Sequence, residues 1–294
     1  MADTPAQVGL AAMAPYGVDA FNIAAELENK IHEASVAGSY GFSGALVPGT
    51  AVFGYMAHQP VALWGRDWLE NGSATCQFSH PVYAGKQALV TAHHRGGVMD
   101  IDVNSEGQLC ASGRAAIGHG EAAPAVDDFR FSMPPPLHER LPADPQSLAP
   151  GAVLCSSPYT LTSAQALAWL ADLRETEPLY ASAGLLHPAT LLRLCNWTLM
   201  QNLALGPWIH TESHVRNFQA MPVGASLVAR GRVLRNWEHK GHRMVELDVL
   251  VVMDGRRPAA RITHTAIYQP RPVKPRQTAD VAQAAGAAVF KSLT

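Results

Sequence analysis

Asn29, His32 and Glu33 lie in one short polar stretch, followed after a Gly-rich segment by Pro48-Gly49. An imidazole titrates near neutrality, where it both gives and takes protons at low cost, so His32 is the candidate general acid or base. Asn29 precedes it by three positions and shares its side of a helical turn. There it can orient the ring, hold a carbonyl oxygen, or simply cap the helix. Glu28 faces His32 across one turn, whereas the adjacent Glu33 does not; each reads first as a solvated charge and only second as a catalyst. Gly49 opens an apolar run at residues 50–64 that reads as a helix. The first N–H groups of a helix lack internal partners and sit at its positive end, so this start suits an oxyanion. Glycine there leaves room for close approach to the backbone.

A second polar cluster lies in WIHTESHVRNF, residues 208–218. On a regular strand His210, Glu212 and His214 point to one face and Ser213 to the other. Such a face can form a polar channel wall or meet solvent; as a metal site it matches no established ligand spacing. His264, alternating with apolar neighbours, reads as a satisfied core histidine. His187 precedes Pro188 at the start of another apolar helix and marks a possible second, degenerate site. Arg193 on that helix needs a partner that the sequence does not identify.

These residues are carried by a plan that occurs twice. A helical segment at residues 21–34, a Gly-rich turn and the helix from Thr50, ending at Trp64-Gly65, come first. Strands at residues 73–78, 87–95, 98–103 and 109–117 follow, with turns at PVYAG and NSEG. Met99, Ile101 and Val103 alternate with Asp100 and Asp102, the period of a half-buried strand. A Pro-rich bridge at residues 122–150 has the composition of an extended linker. Beyond it, Thr162 or Ser163 caps a helix at residues 164–174. A long apolar helix occupies residues 190–205. MPVG echoes PVYAG, and strands at residues 227–233, 244–252 and 259–268 turn at Asp254-Gly255. Matching elements in matching order indicate an internal duplication. The domains expected are residues 1–121 and 151–294, joined by residues 122–150.

Asn29-x-x-His32, with Gly41-Phe42 and Leu46 to Gly49 following, resembles the hydratase signature of MaoC-like (R)-specific enoyl-CoA hydratases, which reads Asp-x-Asn-Pro-(Ile/Leu/Val)-His. Asn29, Ile31 and His32 match; Leu27 stands at the Asp position and Lys30 at the Pro position. Glu26, Glu28 or Glu33 can replace that Asp, and the spacing does not choose among them. The resemblance covers about residues 21–268. It implies an α+β tandem (double) hotdog, each half a long central helix wrapped by an antiparallel sheet, with an acyl site between the halves. It also implies catalytic roles for His32, Asn29, Glu33 and Glu28. Gly49, Pro48, Phe42, His210 and Glu212 would bind substrate, with Gly49 giving the oxyanion N–H. No metal or redox cofactor is implied, coenzyme A entering as the substrate's thioester. Hotdog thioesterases often carry a carboxylate on the central helix. Neither residues 50–64 nor residues 190–205 contain one.

Composition bounds the rest. The chain has 294 residues, 22 Lys and Arg against 24 Asp and Glu, and no dense basic block, so no nucleic-acid or membrane-surface partner is expected. No signal peptide or membrane-spanning run is read, and four scattered cysteines fit a reduced, cytoplasmic protein. Serine-hydrolase, phosphate-loop and dinucleotide motifs are absent. Three functions remain: an acyl-thioester hydratase or dehydratase, an acyl-CoA thioesterase, and a non-catalytic acyl-CoA binding protein. A homodimer of such chains is a further expectation.

Overall fold

The computed structural model describes residues 9–23, 29–118, 120 and 122–271. In chain order the first half gives β1 (Ala11–Ala12), β2 (Tyr16–Asp19), a 3-10 turn (Lys30–His32) and α1 (Ala34–Ser39). It continues with α2 (Gly49–Asn71), β3 (Gly72–Phe78), β4 (Gln87–Arg95), β5 (Val98–Ser105) and β6 (Gln108–Ile117). The bridge holds β7 (Leu141–Pro142). The second half has β8 (Val153–Cys155), α3 (Ser163–Asp172), α4 (Leu179–Ala183), α5 (Ala189–Met200) and β9 (Leu203–Ala204). It ends with β10 (Ile209–Asn217), β11 (Leu227–His239), β12 (His242–Met253) and β13 (Arg257–Gln269).

The expected strands are present because their signals are local and strong. Met99, Ile101 and Val103 are buried while Asp100 and Asp102 are exposed. Glu106-Gly107 and Lys240-Gly241 take the paired positive φ values of tight two-residue hairpin turns, and Asp254-Gly255 takes them in a three-residue turn closed by Met253 opposite Arg257. Thr162 caps α3 through a reciprocal box with Gln165. Gly65, at φ 57° and ψ −138°, breaks α2 at the position where the sequence ends the helix.

The helix expected at residues 21–34 does not form over its described part. Asn29 caps a single 3-10 turn, and Glu33 is extended before α1 begins. The reason is tertiary: the Asn29 side chain bonds to the backbone of Trp208, 179 residues away.

One antiparallel sheet of 11 strands runs through both halves in the order β1-β4-β5-β6-β3-β10-β13-β12-β11-β8, with β2 on β4. Its seam is β3 against β10, Thr75 opposite His214. Both long helices pack on one face of this sheet and against each other. Gly54 makes their approach possible, since a Cβ there would meet Leu173, His187 and Ala189 at 3.2–3.4 Å. The duplication is visible bond by bond. Val47 N–H donates to Val82 O, as Leu186 N–H does to Met221 O. Ala84 donates to Ala45 O, as Val223 does to Gly184 O. Leu46 bridges Tyr83, as Leu185 bridges Pro222.

The Pro-rich bridge crosses the opposite face of the sheet. Phe129 is buried with Leu250 and Val252 beneath the guanidinium groups of Arg232 and Arg261. Among the described residues no helix is long and apolar enough to cross a membrane. The four cysteines are free and buried.

Candidate active site

Pro48 caps α2, its carbonyl accepting the N–H groups of Ala51 and Val52. The N–H groups of Gly49 and Thr50 make no hydrogen bond among the described residues. Against this helix start lies a cavity of about 50 Å³, lined by Asn29, His32, Pro48, Gly49, Trp208 and His210 among others. Residues from both halves of the chain therefore meet here.

His32 is fixed from two sides. Its backbone carbonyl accepts from Asn22 Nδ2 at 3.0 Å, and its Nδ1 lies 3.0 Å from Leu46 O. A carbonyl only accepts, so Nδ1 carries the proton and the neutral ring has a bare Nε2. Burial pushes its pKa down to about 4, against a smaller opposing effect of the Leu46 bond. The near-neutral titration expected of His32 is thus corrected: the half-buried ring stays neutral because burial disfavours its charged form.

Asn29 is buried, and both polar atoms of its amide are engaged. Nδ2 donates to Trp208 O at 3.0 Å, and Oδ1 accepts from Trp208 N–H and Ile31 N–H. It lines the cavity while stapling the first half to the second.

His210 enters from β10. Its Nε2 lies 3.2 Å from Glu212 O and 2.8 Å from Ser213 Oγ, and Ser213 Oγ lies 2.9 Å from His264 Nδ1. The Glu212 carbonyl requires a proton on Nε2, which leaves Nδ1 bare, buried and without a partner among the described residues. Burial pushes the His210 pKa down to about 3 and that of His264 well below the usual range. Gly49 is required here for an unexpected reason. A Cβ would stand 2.9 Å from His210 Nδ1 and 3.1 Å from Phe78, so the glycine admits an imidazole of the protein itself.

Three expected residues lie elsewhere. Glu33 pairs with Lys30 at the surface, 2.6 Å away, rather than with His32. Phe42 is buried in the core beside α1, outside the cavity, where it helps close the turn through its N–H to Ala37 O. Glu212 faces away from His210 and pairs with His214 at 2.7 Å. The cause is a β-bulge between His210 and Glu212, which inserts Thr211 and reverses the side-chain parity. His210 and Ser213 consequently face each other, against the strict alternation expected. Glu28, with Glu26 and Leu27, lies outside the described residues. Among the described residues no carboxylate bonds His32, and no group of three or more His, Cys, Asp or Glu is placed to hold a metal ion.

Sequence reasoning did not find Trp208, Asn196 or Trp169. Asn196 carries one signal in the sequence, a polar break in an apolar helix. At the second helix start, the His187 ring accepts the Ala189 N–H at Nδ1, 3.1 Å away.

No family model matches the chain, and no curated protein matches it in sequence. Solved structures do match in shape. A Mycobacterium tuberculosis protein described as having a double hotdog fold superposes with a TM-score of 0.61 at 14% identity, covering 89% of this chain and 96% of its own. The fold is a double hotdog. A MaoC domain protein dehydratase from Chloroflexus aurantiacus gives a TM-score of 0.58 at 12% identity, over 90% of this chain and 95% of that one. A MaoC-like dehydratase gives the same TM-score at 14% identity, over 90% and 99%. These likenesses establish the double hotdog architecture.

Proposed function

We propose that the chain is an acyl-thioester hydratase or dehydratase whose site lies between His32 and the start of α2. The observation that carries this reading is the shared cavity of His32, His210 and Gly49, with backbone N–H groups at a helix start left without protein acceptors. In the hydration direction the thioester carbonyl takes the Gly49 N–H, which stabilises the enolate formed when water adds. The bare Nε2 of His32 accepts the proton of that water as its oxygen bonds to Cβ. The imidazolium so formed gives that proton to Cα of the enolate, which restores the neutral ring and closes the proton count without a metal or redox cofactor. The resemblance to the hydratase motif supports His32 and Asn29 in these places. Asn29 acts by positioning, its amide holding the backbone of Trp208 against the site. The missing motif Asp leaves the carboxylate role to Glu26 or Glu28.

A non-catalytic acyl-CoA binding protein is the second reading, favoured by a neutral His32 without a carboxylate partner among the described residues. Hydration of crotonyl-CoA by the wild type and by His32→Ala separates the two. Equal turnover in both removes His32 from the chemistry, and binding without turnover selects the second reading. Release of free thiol from a saturated acyl-CoA would instead identify a thioesterase.

We also place the hotdog units at residues 1–121 and 151–294 with residues 122–150 between them, and infer a cytoplasmic protein from its free cysteines. A homodimer of such chains fits the outer edges β1 and β8, which are unpaired among the described residues.

A further inference from the structure

A second, smaller space of about 30 Å³ adjoins the site, sharing Asn29, His32, Pro48, Asn196 and Trp208 with it. Its far wall is Arg193 of α5. That guanidinium lies over three rings, 4.6 Å from the centroid of Trp169, 5.2 Å from Trp197 and 5.6 Å from Tyr159. It makes no hydrogen bond or ion pair among the described residues. The arginines of the sheet behave differently, Arg232 and Arg261 sharing Asp248 and Arg235 holding Glu246.

The neighbours of Arg193 are also unsatisfied. Trp169 and Trp208 are 7% and 2% exposed, and neither indole N–H finds an acceptor. A buried donor left without a partner costs about 1–3 kcal/mol. Two such donors and an aromatic-stacked guanidinium outnumber the one unsatisfied acceptor of this wall, Asn196 Oδ1, so the balance of the wall favours an anionic oxygen acceptor. Stacking on the rings leaves the edge N–H groups of the guanidinium available for a planar, bidentate partner. The space of about 30 Å³ admits a small polar group and not a diphosphate. An unbranched apolar acyl chain would leave every one of these donors unpaired.

We infer that Arg193, with the indoles of Trp169 and Trp208, recognises a carboxylate on the acyl group, so that the substrate is the thioester of a short dicarboxylic acid. This rests on the acyl-thioester reading of the site. It makes Arg193 a specificity residue rather than a catalytic one.

The test is calorimetric binding of succinyl-CoA and butyryl-CoA, which differ by the terminal carboxylate, to wild type, Arg193→Gln, Arg193→Lys and Trp169→Phe. Wild type should bind succinyl-CoA at least tenfold more tightly. Arg193→Gln should abolish that ratio, Arg193→Lys should restore only part of it, and Trp169→Phe should reduce it. A ratio near one in the wild type, or one that survives in Arg193→Gln, overturns the inference. So does an equal weakening of both ligands in Arg193→Gln, which would mean that the guanidinium reads a phosphate of the coenzyme. Undiscriminating binding sinks only the carboxylate. Failure of both thioesters to bind, with no turnover of crotonyl-CoA, sinks the acyl-thioester reading as well.

Discussion

The two long helices begin in the same place in their respective halves, yet their first turns are treated in opposite ways. At Gly49 the backbone N–H groups face a cavity, with His32 on one side and His210 on the other. In the second half Pro188, the counterpart of Gly49, has no N–H, and the N–H of Ala189, the counterpart of Thr50, is taken by His187 Nδ1; His187 Nε2 lies 3.2 Å from Glu175. Glu175 in turn lies 2.7 Å from His58 of α2, and its side chain is 2% exposed. Burial would raise its pKa, but the hydrogen bonds from His187 and His58 outweigh that and hold it well below the usual carboxylate range. One helix start has kept its donors for a visitor; the other has spent them on a buried His-Glu-His cluster. Duplication supplied two equivalent positions, and side chains of the protein have filled one.

The sharpest way to break this comparison is at His32. His32→Ala should lower crotonyl-CoA hydration by roughly 10²–10⁴-fold, the usual worth of a positioned acid-base group, while leaving the melting temperature near that of wild type. At the filled position the effects should reverse. Glu175→Ala leaves the buried His187 and the partly exposed His58 without their acceptor and should cost about 1–3 kcal/mol of stability in denaturant unfolding, with turnover per folded molecule unchanged.

Acidity should probe the open side. His32 titrates near 4 when folded and near 6.5 when unfolded, so the unfolded chain binds more protons between those values. Its contribution to stability is therefore complete above pH 6.5 and is lost as pH falls toward 4, by up to about 1.4 kcal/mol per pH unit. His210, pushed down in the same way, adds to the slope. Unfolding free energy measured from pH 7 to pH 4 should fall less steeply in His32→Ala, by about one proton. An unchanged slope would mean that the ring already meets bulk water.

The smallest effects should come from exchanging the two helix-start residues. Gly49→Ala drives a methyl into His210 and should reduce kcat/KM about tenfold or more. Ala189→Gly removes a methyl where no ligand is expected and should cost about 1 kcal/mol of stability and no activity.

Much of the architecture was legible because its signals are short-range. Strand alternation, two-residue turns and a capping box are each decided within a few residues, and repetition of their order exposes the duplication. The site was legible in part: Asn29, His32, Pro48, Gly49 and His210 do converge. What failed was decided at long range. Nothing near Asn29 says that its amide will be claimed by Trp208, and that claim replaces the expected helix with one 3-10 turn. One extra residue at Thr211 sends Glu212 to the wrong face, and the sequence carries no mark of it. Glu33 found a nearer partner in Lys30. Arg193 was visible as a charge on an apolar helix, but its aromatic stack draws on residues from three separate segments.

The seam between β3 and β10 has a consequence for dilution. Where a pocket is shared by separate subunits, lowering the concentration empties it, because the halves drift apart by mass action. Here the covalent bridge keeps the effective concentration of one half near the other fixed, so pocket integrity should be the same at nanomolar as at millimolar protein. Cutting the bridge would convert that constant into an ordinary dissociation equilibrium.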